Sequence, residues 1–101
     1  MSSDKVYTLK EIEDIVKPLA KEYGVEAIYL FGSYARGTAT AESDIDLIVF
    51  GGAGFRLPMV YALGEDLRDA LQKDIDIFEI HEINVESDFY KNVMKERTQV
   101  A

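Results

Sequence analysis

The spacing of apolar positions changes along the chain, and each change marks an element. In TLKEIEDIVKPLAKEYG, residues 8–24, Leu9, Ile12, Ile15, Val16, Leu19 and Tyr23 recur with a helical period. Thr8 and Glu11 have the spacing of a capping box, and Gly24 is a natural stop. Pro18 lies inside this pattern, where it predicts a kink or an early end. EAIYLF, residues 26–31, then reads as a strand, GSYARGTATAE as a loop with room for a helical turn, and SDIDLIVF, residues 43–50, as a second strand. GGAG at 51–54 breaks that strand. Val60, Leu63, Leu67 and Leu71 predict a second long helix over 57–71, and KDIDIFEI, residues 73–80, a third strand. A last helix is expected over roughly 85–97, with Val85, Phe89, Val93 and Met94 inward. The order α-β-β-α-β-α predicts a two-layer α/β (α+β) domain, with helices flanking a small mixed sheet.

Side chains on a strand alternate between faces. In the second strand Asp44, Asp46, Ile48 and Phe50 share one face, and Ile45, Leu47 and Val49 the other. In the third, Asp74, Asp76 and Phe78 share a face, opposite Ile75 and Ile77. A long helix joins these two strands, the usual connection of a parallel pair. Both acid pairs then fall at one edge of the sheet. The shorter link from the first strand predicts an antiparallel pair, which brings Gly32 and Ser33 to that same edge.

Composition narrows the function. A chain of 101 residues, 48% hydrophobic and 30% charged, suits one domain, taken here as 1–101. The net charge of −8 and the scattered basic residues argue against direct nucleic-acid binding. There is no cysteine, so there are no disulfides or thiolate metal sites, and a cytoplasmic location is expected. Neither a secretory leader nor a run long enough for a membrane span is legible.

The acids demand a reason, since a carboxylate within an apolar run is costly unless a cation meets it. Residues two apart on a strand stand roughly 6.5 Å apart, close enough to share divalent ions. Oxygen-only ligands suit Mg²⁺, which takes its remaining ligands from water and substrate phosphates. Gly32 permits close backbone approach, and Ser33 offers an amide and a hydroxyl to phosphate oxygens. Carboxylates beside a phosphate cradle point to phosphoryl or nucleotidyl transfer.

GSYARG, five intervening residues, and SDIDLIV together resemble the signature of the DNA polymerase β-like nucleotidyltransferase superfamily. The short chain is similar to its minimal nucleotidyltransferase branch, the antitoxins found with HEPN-domain toxins. The resemblance implies that Gly32, Ser33 and Arg36 hold the triphosphate and that Asp44 and Asp46 bind Mg²⁺ or Mn²⁺. IDIF matches the third-carboxylate strand of the family and assigns Asp76, with Asp74 as runner-up; that carboxylate also polarises the attacking hydroxyl. The implied activity is transfer of AMP from ATP to a hydroxyl, a tyrosine, of a cognate HEPN RNase toxin. The alternative is a weak or inactive antitoxin that neutralises its toxin by binding only.

Other residues carry plainer expectations. Arg36 suits a structural salt bridge as well as a phosphate or partner contact. Asp74 reads as a solvated flank, His81 as a surface residue and Tyr34 as a packing residue. GGAGF at 51–55 lacks the Lys-Ser/Thr of a phosphate-binding P-loop.

Overall fold

The computed structural model describes residues 5–101. Helix α1 spans Leu9–Tyr23. Its capping box is formed as expected, with Thr8 accepting from the Glu11 amide and Glu11 accepting from the Thr8 amide, and Gly24 closes the helix. Pro18 sits within the helix without ending it. Strand β1 follows at Ala27–Phe31, a four-residue helix α2 at Ser33–Arg36, and strand β2 at Ile45–Phe50. Helix α3 spans Leu57–Leu71, with Pro58 in the first turn, where its missing amide proton costs nothing. Strand β3 covers Ile75–Glu79, helix α4 Asp88–Glu96 and strand β4 Thr98–Gln99.

The four strands form one mixed sheet in the order β3-β2-β1-β4. Strand β1 is antiparallel to both neighbours, and β2 and β3 are parallel, as the connection lengths predict. The alternation of faces also holds. Ile45, Leu47, Val49 and Ile75 pack against Ile12 and Val16 of α1 and Leu63, Leu67 and Leu71 of α3. Tyr23 donates to Asp66 and ties these two helices together, which holds its phenol up at about 12. On the other face Phe31, Ile48 and Phe78 pack under Val93 of α4. The architecture is therefore the expected two layers with α4 added as a partial third. Among the described residues no helix is long and apolar enough to cross a membrane.

Two expectations need correction. The last helix starts at Asp88, not near 85, because Asn84 and Ser87 make a turn: Asn84 accepts from the Glu86 amide and Ser87 caps the helix by accepting from Tyr90. Val85 thus lies outside the helix and is 60% exposed, while Phe89 is 41% exposed yet stacks edge-on against Phe31 and Phe78. Only Val93 of that set is fully buried. Strand β4 was not expected at all; its two polar residues pair with Tyr29 and Leu30, and the following Val100 is buried.

Candidate active site

The acid edge of the sheet is built by strand register. Asp46 stands directly opposite Asp76 in the parallel β2–β3 pair and opposite Phe31 in the antiparallel β1–β2 pair. The residue after Phe31 is Gly32, which therefore arrives beside Asp46. Its backbone has φ 76° and ψ −154°, and a Cβ there would lie 2.1 Å from Asp46 Oδ2. The glycine is required twice over: by a conformation that L side chains avoid and by a carboxylate that leaves no room. Ser33 then opens α2, and Gly37 closes it by donating to Ser33 and Tyr34 carbonyls.

The loop back to β2 is pinned from below. Lys73 is buried, and its ammonium donates to the Ala41 carbonyl at 2.7 Å. Thr40 and Ser43 close a turn on each other, Thr40 N–H donating to Ser43 Oγ at 2.8 Å and Ser43 N–H to the Thr40 carbonyl at 3.1 Å. Asp44 follows immediately, exposed at the mouth of the edge.

The electrostatics follow from that crowding. The carboxyl of Asp46 is pushed up to about 6 from an ordinary 3.8. Partial burial is the main cause, followed by Asp76 and then Asp44; Arg36 works in the opposite direction. Asp74 is exposed and has no part in this shift; its backbone carbonyl accepts from Ile45 at 3.0 Å. Asp44 and Asp76 are thus each brought within electrostatic reach of Asp46. Among the described residues no three acidic or histidine side chains are gathered into a ready ligand set for a metal ion. The donor chemistry nevertheless fits a hard divalent cation: Mg²⁺ commonly takes one or two carboxylates and completes its octahedron with water and substrate phosphate.

The remaining candidates are accounted for. Arg36 makes a salt bridge to Glu96 at 3.1 Å. His81 is largely exposed and pairs with Glu79 at 2.9 Å, away from the acids. Tyr34 packs against the main core, and its buried hydroxyl has no hydrogen-bond partner among the described residues. Glu96 and Lys73, which touch the motif from distant parts of the chain, carry no signal in the motif itself.

A family model described as "Polymerase beta, Nucleotidyltransferase" matches residues 13–101. The chain belongs to the polymerase beta nucleotidyltransferase family. Among similar nucleotidyltransferases is a candidate protein adenylyltransferase of Methanocaldococcus jannaschii, 33% identical over 76 residues, covering 75% of this chain and 82% of that one. The protein adenylyltransferase MntA of Thermococcus cleftensis is 48% identical over 46 residues, which cover 42% of this chain and 46% of the relative. A solved toxin–antitoxin structure with AMP-PNP superposes with a TM-score of 0.75 at 26% identity, over 88% of this chain and 72% of that one. A solved candidate minimal nucleotidyltransferase gives a TM-score of 0.76 at 26% identity, covering 91% and 95% of the two chains. The superposition assigns this chain's small mixed sheet and flanking helices to the nucleotidyltransferase fold.

Proposed function

We propose that this chain transfers AMP from ATP to a hydroxyl of a protein toxin with a HEPN fold, and so acts as its antitoxin. The observation that carries the reading is the meeting of Gly32, Asp46 and Asp76 at one point of the sheet edge. The names of the relatives support adenylyl transfer, and the AMP-PNP toxin–antitoxin neighbour supports a toxin as the partner.

Each group has a task in this reading. Gly32 and Ser33 present backbone amides to the triphosphate, and Arg36 offers it a positive charge. Asp44, Asp46 and Asp76 would hold Mg²⁺ or Mn²⁺, which when bound neutralises charge on the triphosphate. Asp76 stands exposed at the edge, where an incoming hydroxyl can reach it. It accepts the proton of that hydroxyl as the oxygen attacks the α-phosphorus. The α–β bridging bond breaks, and pyrophosphate leaves with the electron pair. In this reading the acceptor is carried by a docked protein, whose surface supplies proximity and orientation. The net charge of −8 favours a partner with a basic face.

The test is co-expression and co-purification with a candidate HEPN toxin of the same organism, followed by intact mass in ATP and Mg²⁺. A gain of one or more AMP groups on the partner is expected. A stable complex with no gain would replace transfer by neutralisation through binding alone.

A further inference from the structure

The last residue of α4 reaches back to the Gly32 turn. Glu96 Oε1 accepts the Gly32 N–H at 2.9 Å, and its two oxygens accept from the Arg36 guanidinium at 3.2 and 3.1 Å. One carboxylate thus gathers donors from both ends of the Gly32–Arg36 segment. The contact is open to a competitor, since the side chains of Arg36 and Glu96 are 53% and 25% exposed.

Three features set Glu96 apart from an ordinary surface ion pair. Its partners are a backbone amide and a guanidinium, the two donor types that bind phosphate edges, and a carboxylate edge presents similar charge and lone pairs. It stands at the C-terminal end of a helix, where the macrodipole disfavours an acid, so α4 gains nothing from it. It also reaches Gly32 across 64 residues of chain, so the contact is no by-product of helical spacing.

We infer that Glu96 is an internal stand-in for phosphate: it occupies the Gly32 amide and Arg36 in the free protein and is displaced by a phosphate of the nucleoside triphosphate. This inference rests on the nucleotide reading given above. It makes Glu96 a determinant of nucleotide affinity. The carboxylate keeps the donors in place, and the same contact lowers the apparent affinity by the fraction of molecules in which it is made.

Titration calorimetry with a non-hydrolysable ATP analogue, with Mg²⁺ present, tests this on the wild type and Glu96→Gln. Glutamine keeps the shape and an oxygen for Gly32, but gives up the charge that holds Arg36. The expected result is affinity raised about two- to fivefold, the range an exposed ion pair commands, while the melting temperature of the free protein falls or stays level. The gain should vanish in an Arg36→Gln background. Affinity that falls together with the melting temperature would make Glu96 a structural brace and overturn the proposal. Unchanged affinity would overturn it too. Failure of both wild type and variant to bind the analogue would instead remove the nucleotide site, and this inference with it. Should Glu96→Gln fail to fold, the side-chain carboxyl resonance of Glu96 in carbon-labelled wild type decides. It should move when the analogue is added, and a fixed resonance while the Ser33 amide shifts would contradict displacement.

Discussion

Two residues along the β2–β3 ladder separate Asp46 opposite Asp76 from Ile48 opposite Phe78, on the same face of the same two strands. The apolar pair lies in a cluster with Phe31 and Val93, and Ile48 is completely buried. The acidic pair occupies equivalent backbone at the edge, and Asp46 is held near 6 by its surroundings. One end of the face therefore stabilises the fold while the other taxes it. The backbone does not require acids there, because the same strands carry isoleucine and phenylalanine one pleat further on. In the nucleotidyl-transfer reading proposed above, the chemistry is the reason to keep them.

That contrast can be broken from either end. The largest effect is expected from Asp46→Asn or Asp76→Asn, each of which should slow AMP transfer by about 100- to 1,000-fold in a steady-state assay with the fold intact by circular dichroism. Retention of most activity in both would detach the acidic pair from the chemistry. Ile48→Ala should act the other way, lowering stability by about 2–5 kcal/mol in denaturant unfolding through loss of buried methyl groups. Nucleotide binding by the folded fraction should persist.

A smaller effect concerns the protein without metal or nucleotide. The folded state holds the Asp46 proton more tightly than the unfolded chain, so this group favours folding below about 3.8 and loses that contribution as pH rises through about 6. Asp46→Asn should therefore stabilise the free protein at neutral pH by about 1 kcal/mol, once solvent screening of a half-buried group is allowed for. The gain should fade as pH is lowered below 4, and thermal melts across that range would reveal it. An equal gain at all pH values would mean that repulsion and burial are not its source. The smallest effect is expected at Asp74. Its contribution to the fold comes from its carbonyl, so Asp74→Asn should leave transfer within about twofold of wild type.

Much of this contrast was legible in the sequence because strand alternation is strict. Asp46 and Ile48 must share a face, and the long helix between β2 and β3 brings Asp76 into line with Asp46. Helices α1 and α3 announce themselves by sustained stripes, and Thr8, Glu11 and Gly24 mark the ends of α1 by local chemistry. What escaped is what depends on distant partners. Strand β4 has only Thr98 and Gln99, too short to show a period, and exists because β1 has an open edge. Val85 continues the helical spacing of Phe89, but Asn84 and Ser87 bind the backbone locally and start the helix later. Glu96 meets Gly32 across 64 residues, and Lys73 meets Ala41 across 32; no pattern within a window of sequence encodes either contact. Arg36 was open between phosphate and salt bridge, and in the free protein it makes the salt bridge.

In the proposed reaction the acidic end of the β2–β3 face transfers a nucleotidyl group to a protein. ATP labelled at the α-phosphate tests it most directly, incubated with the purified protein, the proposed toxin partner and Mg²⁺. The label should move to the toxin, ATP labelled at the γ-phosphate should leave the toxin unlabelled, and the Asp46→Asn/Asp76→Asn double variant should transfer neither. Label arriving from the γ-phosphate, or α-label transferred undiminished by the double variant, would contradict the account.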